Sequence, residues 1–229
     1  KRVLLKLSGE ALAGDKKTGF DEATCIKVAE QVKKLTEDGI QVAIVTGGGN
    51  FWRGRTSETI DRTKADQIGM LATVMNALAV SDKLEQLGVP TEVFTSITMP
   101  QVAPAFTRKD ALKAMADGKI AIFGGGTGNP FFSTDTTAAL RASEINAEVV
   151  MKATSVDGVY DADPKKVSGA KRFDSISYQE CLERQLKVMD STAFTLCMDN
   201  KKPIIVFDMH TPGNITRALL GEPIGTTIC

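Results

Sequence analysis

One histidine, His210, serves the whole chain. That excludes a two-histidine metal site and leaves little room for a Ser-His-Asp triad. His210 sits in Asp208-Met209-His210-Thr211-Pro212, after an apolar run, and reads as a loop residue without catalytic work. Cysteine is sparse too: Cys25, Cys181, Cys197 and Cys229 never fall at C-x-x-C spacing. This argues against a zinc site or a thioredoxin-like motif and fits a reducing compartment. No apolar run approaches the roughly 18 residues that span a bilayer, and the opening Lys1-Arg2-Val3-Leu4-Leu5-Lys6 alternates too early for a signal peptide. A cytoplasmic location without a membrane partner is therefore expected. The chain opens on Lys1 rather than Met, so a few preceding residues are expected. Charge of one sign is missing as well: 28 Lys and Arg offset 28 Asp and Glu, and no basic segment stands out. Bulk attraction to nucleic acid is not expected, and an anionic substrate must be met by local groups. Nothing matches a P-loop, a G-x-G-x-x-G after a strand, or the H-R-D of protein kinases. There is no all-protein metal cage. Any ATP chemistry needs another cradle.

What is present is alternation. Strand-like runs at residues 3–7, 41–46, 91–95, 119–123, 148–152 and 203–207 alternate with helical patterns. The helical patterns cover 22–37, 65–87, 108–116, 134–146, 178–185, 191–200 and 213–220. This order predicts an α/β chain: a three-layer α/β/α sandwich around a mainly parallel sheet. With 42% hydrophobic residues the chain can bury a large core. Residues 158–173, rich in Gly, Asp, Pro and Lys, read as exposed and irregular. In the long helix, Met70, Leu71, Val74, Met75, Leu78 and Val80 spread over more than one face. Such a helix is buried on two sides or crosses a subunit interface.

Three loops fit one demand, the cradling of phosphate by backbone N–H groups. Each follows an apolar strand, where ligands of doubly wound sheets bind. The first is Lys6-Leu7-Ser8-Gly9-Glu10, with Lys6 placed to reach β- or γ-phosphate oxygens. The second is Gly47-Gly48-Gly49-Asn50, followed by Arg53, whose planar fork suits phosphate. The third runs from Gly124 to Asp135 and includes Thr127-Gly128-Asn129-Pro130-Phe131-Phe132-Ser133-Thr134. Ser133, Thr134 or Asp135 could cap the following helix. Phe131 and Phe132 could pack on a nucleobase or enter the core.

These residues resemble a known family. Lys6-Leu7-Ser8-Gly9-Glu10-Ala11, Gly47-Gly48-Gly49-Asn50 and Arg53-Gly54 resemble the amino acid kinase superfamily. The string from Thr127 to Asp135, Lys152-Ala153-Thr154-Ser155-Val156-Asp157-Gly158-Val159-Tyr160, Asp66 and Leu186-Lys187-Val188-Met189-Asp190 are similar to its bacterial UMP kinase branch. The resemblance implies transfer of the ATP γ-phosphoryl group to UMP. It implies that Lys6, Leu7, Ser8, Gly9, Gly49, Arg53, Thr154, Tyr160 and Asp163 hold ATP. Gly48, Asp66 and residues Thr127, Gly128, Asn129, Pro130, Phe131, Phe132, Ser133 and Thr134 would hold UMP. Lys6, Arg53, Asp135 and Asp190 would be catalytic, with Asp190 orienting Lys6. It further implies one domain over residues 1–229, with an acceptor part at about 1–152 and an ATP part at about 153–229. Mg²⁺ on the nucleotide phosphates, a homohexamer, GTP as activator and UTP as inhibitor complete the expectation. The segment Gly14-Asp15-Lys16-Lys17-Thr18-Gly19 departs from the family's regulatory pattern, so catalysis is carried over further than GTP activation. Two alternatives share the glycine loops: a kinase of the same fold acting on a carboxylate or carbamate, and a catalytically silent nucleotide sensor.

Overall fold

The computed structural model describes residues 1–16, 18–52, 59–164, 166–186 and 188–229. Its strands are β1 (Arg2–Leu7), β2 (Gln41–Thr46), β3 (Thr91–Thr95), β4 (Ile120–Gly124), β5 (Val149–Thr154), β6 (Ser175–Ile176), β7 (Ile204–Asp208) and β8 (Gly225–Ile228). They form one sheet in the order β3-β4-β2-β1-β5-β7-β8-β6. Every neighbouring pair is parallel except β7 and β8. In β1 and β2, five consecutive residues after the first are buried, as expected for strands covered on both faces. The sequence did not announce β6 and β8, which have two and four residues and no apolar run.

The helices are α1 (Gly9–Ala13), α2 (Glu22–Glu37), α3 (Arg62–Gln86), α4 (Arg108–Ala116), α5 (Thr134–Glu144), α6 (Tyr178–Glu183), α7 (Ser191–Asp199) and α8 (Asn214–Leu219). Alternation along the strands sorts them into two layers. Val3, Leu5 and Leu7 of β1 join a core with Val28 and Val32 of α2, Leu84 of α3 and Ile215 of α8. Leu4 joins the opposite core with Met115 of α4, Ala138 of α5, Cys181 of α6 and Phe194 of α7. The sandwich therefore has the three layers the sequence predicts. Fully burying a leucine such as Leu5 contributes about 1.5–3 kcal/mol, so both faces are strongly specified.

The same alternation decides where the charges go. Lys6 lies between Leu5 and Leu7, so it points to the face covered by α5 and α7. Lys152 lies between Met151 and Ala153 of that first core and points the same way. Lys6 and Lys152 are directly paired in the register of β1 and β5. The chain leaves β1 toward β2 on one side and later adds β5 on the other, so the order reverses at β1. A crevice beyond the carboxyl ends of the strands opens at such a point.

α3 has 25 residues and buries Ala72, Val74, Ala77, Val80 and Leu84. Ile68, Leu71, Met75 and Leu78 stay exposed at spacings of three, four and three, forming a second apolar stripe.

Candidate active site

The first loop is shorter than the sequence suggests, because β1 ends at Leu7 and α1 begins at Gly9. Ser8 has extended backbone and its hydroxyl accepts from Ala11 N, capping α1. Leu7 is fully buried, so only its backbone can meet a ligand. Gly47 N donates to Leu7 O at 2.8 Å, clipping the second loop onto the first. A Cβ on Gly9 would stand 2.3 Å from Asn50 Oδ1 and 2.8 Å from Gly49 N. Two loops this close need glycine at the contact. Asn50 turns out to be structural. Its amide donates to Gly19 O and to Asn76 Oδ1, and Asn76 donates back to Asn50 Oδ1 and to Gly47 O.

The third loop returns to the same place. Ser133 caps α5, accepting from Asp135 N and Thr136 N. Of the three capping candidates it is Ser133 that serves. That frees Asp135, in the first turn, to face the strands. Asp135 Oδ1 lies 3.0 Å from Lys6 Nζ, and Oδ2 accepts from Lys152 Nζ at 2.7 Å. Lys152 Nζ also donates to Val188 O at 2.6 Å. Burial pushes the Asp135 carboxyl up, but Lys6 and Lys152 outweigh it and hold the group below the usual carboxylate value. Burial pulls the Lys152 ammonium below the ordinary lysine value; Asp135 opposes this and Lys6 reinforces it. Sequence reading did not single out Lys152 as a site residue.

The resemblance gives Asp190 the task of orienting Lys6; its own hydrogen bonds are to α5 and α7. It caps α7, accepting from Ala193 N, and takes hydroxyl hydrogen bonds from Thr136 and Ser133. The N-terminal ends of α5 and α7 are thus joined through one carboxylate. Both carry positive partial charge, so together they favour an anion.

A cavity of about 260 Å³ opens on one side of this junction, lined by Gly48, Gly49, Asp66, Gly126, Phe132, Ser133 and Thr134, among others. Asp66 is held in its wall: its Oδ2 accepts from Phe131 N at 2.8 Å and from Arg62 Nε at 2.9 Å. Phe131 has a left-handed backbone, φ 72°, and the Arg62 guanidinium sits 5.5 Å from its ring centroid. The expected aromatic pair is therefore split: Phe132 faces the cavity and Phe131 meets Arg62. Thr127 and Asn129 bond to each other within the turn that precedes them. A second cavity, about 570 Å³, is lined by Lys152, Thr154, Tyr160, Asp163 and Val188, among others. Tyr160 OH donates to Asp157, which fixes its ring edge. Arg53 lies outside the described residues. His210 is exposed in the turn after β7, its backbone N donating to Asp208. Among the described residues, no group of three or more His, Cys, Asp or Glu could hold a metal ion, and no helix is long and apolar enough to cross a membrane.

The arrangement has a lysine–aspartate–lysine triad with one cavity lined by Lys152 and another lined by Ser133 and Thr134, the residues next to Asp135, and glycine loops and two helix ends around it. A family model described as amino acid kinase family matches residues 1–208. A solved structure of UMP kinase from Bacillus anthracis is similar at 39% identity and a TM-score of 0.96, covering 100% of this chain and 95% of that one. UMP kinase from Ureaplasma parvum is similar at 35% identity and a TM-score of 0.95, covering 100% and 98%. Uridylate kinase from Archaeoglobus fulgidus shares 29% identity at a TM-score of 0.77, with 100% of both chains covered.

Proposed function

The chain belongs to the amino acid kinase family, and we propose that within it this protein transfers the γ-phosphoryl group of ATP to the phosphate of UMP, giving ADP and UDP. One observation carries the reading: the Lys6–Asp135–Lys152 triad links two cavities, since Lys152 lines the larger and Ser133 and Thr134, just before Asp135, line the smaller. A monophosphate and a triphosphate entering from the two sides would bring their phosphates together there. The smaller cavity, with Asp66 and Phe132 in its wall, suits a nucleoside with ribose hydroxyls and a flat base. A small carboxylate or carbamate would leave that surface uncovered. The solved relatives named as UMP kinases support the same acceptor.

The chemistry asks little of acid–base groups. An oxygen of the UMP phosphate attacks the γ-phosphorus, and the bond to the bridging oxygen of ADP breaks. The acceptor is already anionic, so no general base is required. The barrier is mostly repulsion between polyanions and misalignment. Lys6 would stabilise charge on the transferred group, and backbone N–H groups at residues 8–9, 48–49 and 133–134 would fix the phosphate oxygens. Arg53 would add a second cation. Mg²⁺ would arrive as part of the MgATP substrate, held by its phosphates. Thr154, Tyr160 and Asp163 would line the ATP base and ribose. Residues 1–152 would form the acceptor part and 153–229 the donor part. The exposed stripe on α3 supports self-association, up to the hexamer the resemblance implies, and that resemblance also suggests UTP as inhibitor and GTP as activator.

A coupled assay of ADP release tests the reading. UMP should be the best acceptor in a panel with CMP, AMP, GMP, acetylglutamate, aspartate and carbamate. A small acid outperforming UMP, or no turnover with any acceptor, would overturn it.

A further inference from the structure

The triad is not symmetric. Lys152 is anchored: its ammonium donates to Asp135 Oδ2 at 2.7 Å and to Val188 O at 2.6 Å. Lys6 is held at one point. Its nitrogen pairs with Asp135 Oδ1 at 3.0 Å, where Lys152 has two partners. Two cations thus share one carboxylate, which leaves a net charge of +1 on the three groups. If Lys152 lost its charge the sum would be zero, and Lys6 would face Asp135 alone as a closed pair in a poorly hydrated site. A buried carboxylate without its second partner holds the remaining one more tightly.

We propose that Lys152 is the positioning residue of the phosphoryl transfer: by occupying Asp135 it keeps Lys6 free to move onto the transferred phosphoryl group. The proposal rests on the kinase reading above. Lys152 acts through Asp135 and Lys6 and directs two of its three N–H donors to the protein. The strand register supports this division. Lys6 and Lys152 are side by side on β1 and β5, with Asp135 presented to both from α5. The bond to Val188 O adds a second function. Val188 lies two residues before Asp190, so Lys152 also ties the wall of the larger cavity to the α5–α7 junction.

The test compares Lys152→Arg, Lys152→Gln and Lys152→Met, each checked by thermal melting and by calorimetric UMP binding. Gln keeps a donor and loses the charge; Arg keeps the charge. Loss of the charge should lower kcat by about 10- to 100-fold, as expected of a group that orients an acting residue rather than acting itself, with KM for UMP and ATP changing less than about threefold. Arg should restore most of the rate. In an Asp135→Asn background no carboxylate remains to capture Lys6. There Lys152→Gln should lose less than about threefold or even gain. A Gln variant with wild-type kcat overturns the proposal, as does a full loss in the Asn background. A rise confined to KM for ATP also overturns it, because Lys152 would then be only a wall of the cavity. Should Met fail to fold, Gln and Arg carry the comparison. Wild-type protein that turns over UMP while Lys152→Gln is unaffected would sink this inference alone; wild-type protein inactive on UMP would sink the function itself.

Discussion

Gly9→Ala is the sharpest perturbation the structure offers. The new methyl would fall 2.3 Å from Asn50 Oδ1, 2.8 Å from Gly49 N and 3.1 Å from Asn50 N. Two of these are backbone atoms, and the third belongs to a side chain held by Gly19 O and doubly by Asn76. Contact distance requires the loops to part by about 1 Å. Forcing a methyl into a packed site costs about 1–3 kcal/mol. Breaking a buried Asn50–Asn76 bond adds about 1–3 kcal/mol. Alanine returns up to about 1 kcal/mol as the better helix former. A net loss of about 2–4 kcal/mol lowers Tm by about 4–16 °C for a chain of this size. A displacement of 1 Å at a phosphate cradle also costs about 100-fold in turnover. Gly88→Ala is the control: its φ is +77° but nothing lies within 4 Å, so only local strain of about 1–2 kcal/mol is expected and activity should persist. Melting curves and steady-state kinetics on both variants decide the matter. If Gly9→Ala matches Gly88→Ala in both, the two loops are not locked together and the cradle is misdescribed.

The remaining expectations concern charge and access. Lys6→Ala should lower kcat by about 100-fold or more while the protein still folds, because Lys152 continues to neutralise Asp135; near-normal turnover would remove Lys6 from the mechanism. Asp66→Ala should raise KM for UMP far more than for ATP, and equal effects would show that the acceptor has been placed in the wrong cavity. Asp135 has a folded-state value below its unfolded one, so its stabilisation is present above the ordinary carboxylate range and is lost as pH falls through the depressed value. Acid melts of wild type and Asp135→Asn should therefore converge toward low pH, and a constant gap would contradict the ion pairs. Cys25, Cys181 and Cys197 are buried, with thiols pushed up to about 11, 11 and 12, whereas Cys229 is exposed. Thiol titration of native protein should find one fast group among the four, and a second fast group would show an opened core.

Much of the fold is written in local pattern. The spans 22–37, 41–46, 91–95 and 108–116 coincide with α2, β2, β3 and α4, because each has a single period and a clear stop such as Gly39 or Gly118. α3 begins three residues earlier than its apolar pattern, because Asp61 caps it by accepting from Lys64 N. α1 was hidden for the opposite reason. Five residues after a strand carry no period, and only the tertiary lock with Asn50 makes that turn worth forming. β8 depends on pairing to β7, and β6 on pairing to β8, and neither has a signal of its own.

The site was legible as glycine loops and less so as chemistry. Lys6 and the three glycine loops could be named from the residues themselves, because glycine after a strand and charge beside it have few other uses, whereas Asp66 was named through the resemblance. The role of Asp190 came from the resemblance alone, since a helix-capping aspartate and a lysine-orienting one look identical in one dimension; the fold adds that it caps α7 and bonds to α5. Lys152 carried a readable signal that went unused. It is polar at a position where Val149 to Ala153 is otherwise apolar, and it alternates onto the same face as Lys6. Burying a lysine in a central strand is costly unless a carboxylate waits for it. A lone cation in a fully covered strand therefore implies a buried anion on the covering helix. That reasoning, applied to β1 and β5 together, leads to the first turn of α5 and to Asp135 as the one carboxylate both strands require.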